Sequence, residues 1–155
     1  MRHLLKYFSY GLLLVALVSC QPTPEPINYG HDGCSYCKMT IVDQRYAAEL
    51  VTDKGKVYKF DAIECLINYQ NEHQKATFAH ILVSTYNNKT LTDAAGCSYL
   101  RSENLPSPMG MYITAVSDKG TAEELRQDQG GQIYSWEELK KNFNQLPVIK
   151  PQALH

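Results

Sequence analysis

The chain has 155 residues, 44% of them hydrophobic and 20% charged, with a formal net charge of -1 and a pI near 6.5. Such a balance leaves no basic surplus to neutralise nucleic-acid phosphates or another polyanion, which argues against a nucleic-acid partner. About 136 residues remain after the leader segment described next, enough for a modest core in one domain or two small halves.

Arg2, His3 and Lys6 precede the apolar run Gly11–Val18, which is too short to span a bilayer and reads as a secretory signal peptide over residues 1–19. The run ends in Leu17-Val18-Ser19-Cys20, which resembles the lipobox of bacterial lipoproteins. Cys20 is then acylated on sulfur, becomes the new N-terminus and anchors an exported protein that faces the periplasm or the outer surface. An uncleaved anchor helix is the competing reading. Gln21-Pro22-Thr23-Pro24-Glu25-Pro26 follows, and its alternating prolines predict a stiff, extended spacer over residues 20–28 rather than a packed element. The folded part is expected over residues 29–145, with a tail at 146–155.

Cys34-Ser35-Tyr36-Cys37-Lys38-Met39 places two thiols and a thioether in six residues. Soft sulfur donors at this density suit Cu(I), whereas Mg²⁺ or Ca²⁺ needs oxygen ligands that the segment lacks. Next come Met39–Asp43 and Tyr46–Thr52, both rich in strand formers, then the turn Asp53-Lys54-Gly55-Lys56 and the alternating Val57–Phe60. Tyr46–Phe60 is therefore predicted to be a hairpin. Ile63, Leu66 and Ile67 mark an amphipathic helix over Ala62–Asn71, with Asp61 as its cap and Glu64 completing a capping box. Thr77–Ser84 closes this β, β, α, β unit.

A similar order recurs without evident residue identity. Cys97–Arg101 and Gly110–Val116 read as strands, Thr121 caps a helix reaching Gln129, Gly130-Gly131 stops it, and Gln132–Ser135 is the next strand. Trp136–Phe143 adds a terminal helix. The expected fold class is α+β, two small ββαβ units at about 37–85 and 96–145 packed together.

If a strand already begins at Cys37, Cys37 and Met39 project to one side. Met109 and Met111 flank Gly110, and packing the two units together would bring one or both near Cys37; core filling is the competing role for these methionines. Cys34 either joins the site or forms a short disulfide with Cys37, as an oxidising compartment permits. His31 is a candidate nitrogen ligand or a solvated loop residue. Cys65 and Cys97 are better explained by core packing. His73 and His155 read as surface residues and His80 as a strand histidine, while Asp43, Asp61 and Glu64 read as turn and cap residues.

Lys38 where haem attachment needs His excludes a c-type haem site, and no strand precedes the CxxC to make it thioredoxin-like. A closed zinc ribbon lacks its second ligand pair. Neither a nucleophile elbow nor a phosphate loop nor a paired-carboxylate site stands out, so an enzyme is not expected.

Cys34-x-x-Cys37-x-Met39, Ile41-x-Asp43-x-Arg45-Tyr46-Ala47-Ala48-Glu49, Gly55-x-x-Tyr58-x-Phe60-Asp61-x-Ile63-x-Cys65-Leu66 and Pro108-Met109-Gly110 together resemble the NosL family. The resemblance covers nearly the whole exported part. It implies an exported, lipid-anchored Cu(I)-binding accessory protein for maturation of the copper sites of nitrous oxide reductase, with a fold of two linked ββαβ units. By position it implies Cys37, Met39 and Met109 as ligands, with Cys34 matching the commoner form of the motif. Lys38 departs from the family, where many members carry Gly, and Met111 is an addition the pattern does not rank. The competing functions are an extracytoplasmic thiol–disulfide redox protein using Cys34 and Cys37, and a purely structural lipoprotein.

Overall fold

The computed structural model describes residues 21–147 and 149, so the signal peptide, Cys20 and most of the tail beyond Pro147 lie outside the described residues. The hairpin forms as its turn chemistry dictates: β1 (Ala48–Thr52) pairs antiparallel with β2 (Val57–Phe60), Leu50 opposite Tyr58. Gly55 takes a φ of +79°, the left-handed geometry that the turn requires, and its N–H bonds Thr52 O at 2.8 Å. Helix α1 (Ile63–Glu72) follows, and β3 (Phe78–Ser84) returns antiparallel on the other side of β1. A short β4 (Leu91–Asp93), not expected from the sequence, extends this sheet to the order β2-β1-β3-β4.

The second unit contains β5 (Ser98–Arg101), β6 (Ile113–Val116), α2 (Lys119–Gln129) and β7 (Gln132–Ser135), in the order β6-β5-β7. Helix α3 (Trp136–Asn142) follows directly, started by a capping box between Ser135 and Glu138. Among the described residues the architecture is mixed α/β, with two antiparallel sheets and three α-helices, in the expected element order apart from β4.

One core serves both units. Leu50, Phe60, Ile63 and Leu66 of the first cluster with Tyr99, Ile113, Trp136 and Leu139 of the second, all nearly or fully buried. Tyr69 of α1 packs on Tyr58 and Phe60 of β2, with centroids 4.8 and 5.4 Å apart, which sets the helix on that face of the first sheet.

Three local expectations are corrected. Met39–Asp43 is not a strand: it makes a single bridge, Gly33 with Thr40, because Lys38 turns the chain sharply before it. Asp61 does not cap α1, whose N-cap is Ala62 without a side-chain bond; Asp61 and Glu64 are 2% and 1% exposed, turned into the protein rather than onto the helix end. Thr121 does not cap α2, which starts at Lys119; Asp118 is the cap and accepts the Thr121 N–H at 2.9 Å.

The proline-rich segment also departs from the spacer reading. It has no regular secondary structure, yet it lies on the face of the first sheet opposite α1. Glu25 N–H donates to Glu49 of β1 at 3.1 Å, Lys59 of β2 donates to Pro26 O at 2.7 Å, and His80 of β3 meets Pro22 O at 3.1 Å. Ile27 inserts into the core, 9% exposed. Residues 22–27 are a strap across three strands.

Candidate metal centre

The loop that carries the CxxC motif is built from its backbone. Cys34 N–H bonds Met39 O at 2.8 Å and Lys38 N–H bonds Cys34 O at 3.1 Å, folding six residues into one tight turn. Ser35 N–H reaches Lys59 O at 2.8 Å, which docks the turn at the end of β2. Its base is held by Ile41 N–H to Asp32 O at 2.9 Å and by the Lys59–Asp32 ion pair at 2.8 Å. Beyond it, Asp43 receives the Arg45 N–H at 3.0 Å and the Arg45 guanidinium, the turn role read from its sequence position.

Lys38 closes the turn with a φ of +67°, a conformation that glycine adopts freely and other residues adopt at a cost of about 1–3 kcal/mol. The Gly that the resemblance implies for many members at this position would take this backbone freely. Lys38 recovers part of the cost by donating its ammonium to Ser35 O at 2.6 Å. Lys38→Gly is expected to raise stability by about 1 kcal/mol, read as a higher midpoint in urea; an unchanged or lower midpoint would show that the ammonium bond offsets the backbone strain.

This turn and the first turn of α1 bring three thiols together. The sulfurs of Cys34, Cys37 and Cys65 all lie within 4.8 Å of one another. A metal–sulfur bond of about 2.3 Å places sulfurs on opposite sides of an ion up to about 4.6 Å apart, so the cluster is already near the dimensions of a bound soft cation. Cys34 and Cys65 are 2% and 0% exposed and form the floor, while Cys37 is half-buried at the rim.

The three thiols differ electrostatically. Hydrogen bonding from Cys65 holds the Cys34 thiol well below its ordinary range against the cost of burial, helped by the peptide N–H groups of Asp61, Cys37 and Tyr36. Cys65 is the matching donor and is pushed far up. Burial also raises Cys37. Of the three, Cys34 is the one whose surroundings favour the thiolate form.

His31 and Cys97 lie outside the cluster, and the methionines differ in exposure. His31 is exposed and does not join the three sulfurs. Cys97 is buried, its thiol pushed up to about 11 by desolvation, and it stands apart from them. Met39 follows the left-handed Lys38, so the strand alternation expected to align it with Cys37 does not operate; its side chain is 54% exposed. Met109 is 38% exposed on the turn before β6, and Met111 is half-buried against the core. The sequence favours core packing over ligation for Cys65, and the structure shows it both fully buried and within the cluster, a meeting that its place beside Leu66 in an apolar helical stripe does not reveal.

The sequence profile of the NosL family matches residues 27–143, which span the loop, α1 and the methionine turn. A search of curated proteins returns no match. Among solved structures, the chain is similar to the copper chaperone NosL from Shewanella denitrificans, with a TM-score of 0.64 and 21% identity over 76% of this chain and 95% of that one.

Proposed function

The chain belongs to the NosL family, and on that premise we propose that it is a Cu(I) carrier serving assembly of an exported cuproenzyme, with nitrous oxide reductase the target the family implies. The observation that supports this reading is the group of three converging thiols, Cys34, Cys37 and Cys65, within the matched span. Thiolates are soft donors and prefer Cu(I) to the hard cations. Cys34 and Cys65 supply a buried floor and Cys37 a half-buried rim ligand. Met39 and Met109 are the exposed thioethers that exchange with an incoming ligand. A carrier needs that openness, since a closed four-thiolate site resists transfer. An anaerobic Cu(I) competition titration of the reduced protein tests the reading; failure to compete with a chelator at one copper per chain overturns it.

The anchor is a further part of the proposal. Acylated Cys20 holds the carrier on the outer side of the membrane from which it is exported. Cys20→Ala is expected to move the protein from the membrane fraction to the soluble exported fraction, and continued membrane retention of that variant would remove the lipid-anchor reading.

A further inference from the structure

We propose that Glu64 is a positioning residue that holds the methionine turn Ser107–Gly110 of the second unit against the helix carrying Cys65 of the first. The inference rests on the copper-site reading above. Glu64 precedes Cys65 in the first turn of α1 and is 1% exposed. Its Oε1 accepts the hydroxyl of Ser107 and the N–H of Met111 at 3.2 Å, so both hydrogen-bond partners of this first-unit side chain belong to the second unit.

Those two donors bracket one turn. Gly110 N–H bonds Ser107 O at 3.0 Å, which places Pro108 and Met109 at the tip of the turn between them. Ser107 Oγ in turn accepts the Tyr112 N–H at 2.9 Å. Gly110 and Tyr112 sit at φ values of +75° and +61°, and a tyrosine keeps such a conformation only where its surroundings fix it. Met109 emerges from this clamp as one of three exposed large apolar side chains among the described residues; Met39 and Val42, on the segment that follows Cys37, are the others.

A buried carboxyl is a costly way to fill space, and Glu64 Oε2 has no hydrogen-bond partner among the described residues. An apolar side chain would serve packing better. What the carboxyl adds is direction: a single oxygen fixes both ends of the turn bearing Met109, next to the residue that places the Cys65 sulfur in the cluster. Loss of the clamp would leave the thiols in place and free the thioether.

The test is a double-mutant cycle on the full chain, read by Cu(I) competition and by X-ray absorption of the copper-loaded protein. Ser107→Ala and Met109→Ala are each expected to weaken binding about tenfold, and the double variant about tenfold rather than about a hundredfold. Both single variants should lose the same sulfur scatterer. Glu64→Gln keeps the acceptor oxygen and should stay within about twofold of the parent. Multiplying effects, or an unchanged sulfur count in Ser107→Ala, overturns the positioning role. An unchanged affinity in Met109→Ala overturns it too, and a parallel loss on replacing Cys37 would show that the thiol site itself survives.

Discussion

Cys37→Ala is expected to lower Cu(I) affinity by at least about a hundredfold while leaving the fold and its melting temperature nearly unchanged. The magnitude follows from coordination: outer partners of a metal site are worth 10–100-fold, and a direct thiolate ligand contributes more. The fold should tolerate the change because Cys37 is half-buried at the rim and the turn is closed by backbone hydrogen bonds that its side chain does not make. Cys65→Ala separates two site compositions. With a three-thiol site, its effect matches that of Cys37→Ala. With the sulfur set of Cys37, Met39 and Met109 that the family pattern implies, removing Cys65 costs only the donor to the Cys34 sulfur and affinity changes little. Unaltered chelator competition by Cys37→Ala would sink both versions. Metal-independent thiol–disulfide turnover at Cys34 and Cys37 would then be the reading to measure.

What the sequence reveals of this site depends on the range of the interactions. The hairpin at β1 and β2 is legible because its turn residues and its alternation are local. The same holds for α1, whose apolar stripe predicts its span to within a residue at each end. Cys34 and Cys37 are legible as a pair because they are adjacent in the chain. Their meeting with Cys65 is a tertiary event across the end of β2, and a buried cysteine that joins a thiol cluster looks like any other buried cysteine until the loop is docked. The direction of Met39 fails for a smaller reason, since one left-handed residue at Lys38 cancels the alternation on which the expectation rests. Glu64 matches a capping box because that pattern is local, while its hydrogen-bond partners, Ser107 and Met111, lie in the other unit.

The strap is the plainest case of long-range ties hidden in local chemistry, and removing it is the second large effect. A chain beginning at Tyr29 is expected to be less stable by about 3–5 kcal/mol than one beginning at Gln21. Burial of Ile27 contributes about 1.5–3 kcal/mol of this. Glu49 contributes the rest. It is fully buried, and burial pushes its carboxyl above the usual range; the Glu25 N–H is its one hydrogen-bond donor among the described residues. Without that donor a buried oxygen is left unpaired, at a cost of about 1–3 kcal/mol, unless water reaches it. The expected fall in melting temperature is about 10 °C or more. Equal melting temperatures for the two chains would show that the strap merely rests on the sheet. The loss would reach the copper loop as well, because Lys59 joins the strap at Pro26 O to Asp32 at the base of that loop, and its own carbonyl takes the Ser35 N–H. For a lipid-anchored carrier, residues from Pro22 onward then supply rigidity rather than reach. The strap enters beside His80 of β3, which is paired with Val51 near the hairpin turn, whereas the thiols gather at the other end, beyond Phe60 and at the start of α1. Were the chain anchored at Cys20 as proposed, a tether fixed at the first end would turn the second, where the three thiols gather, away from its point of attachment.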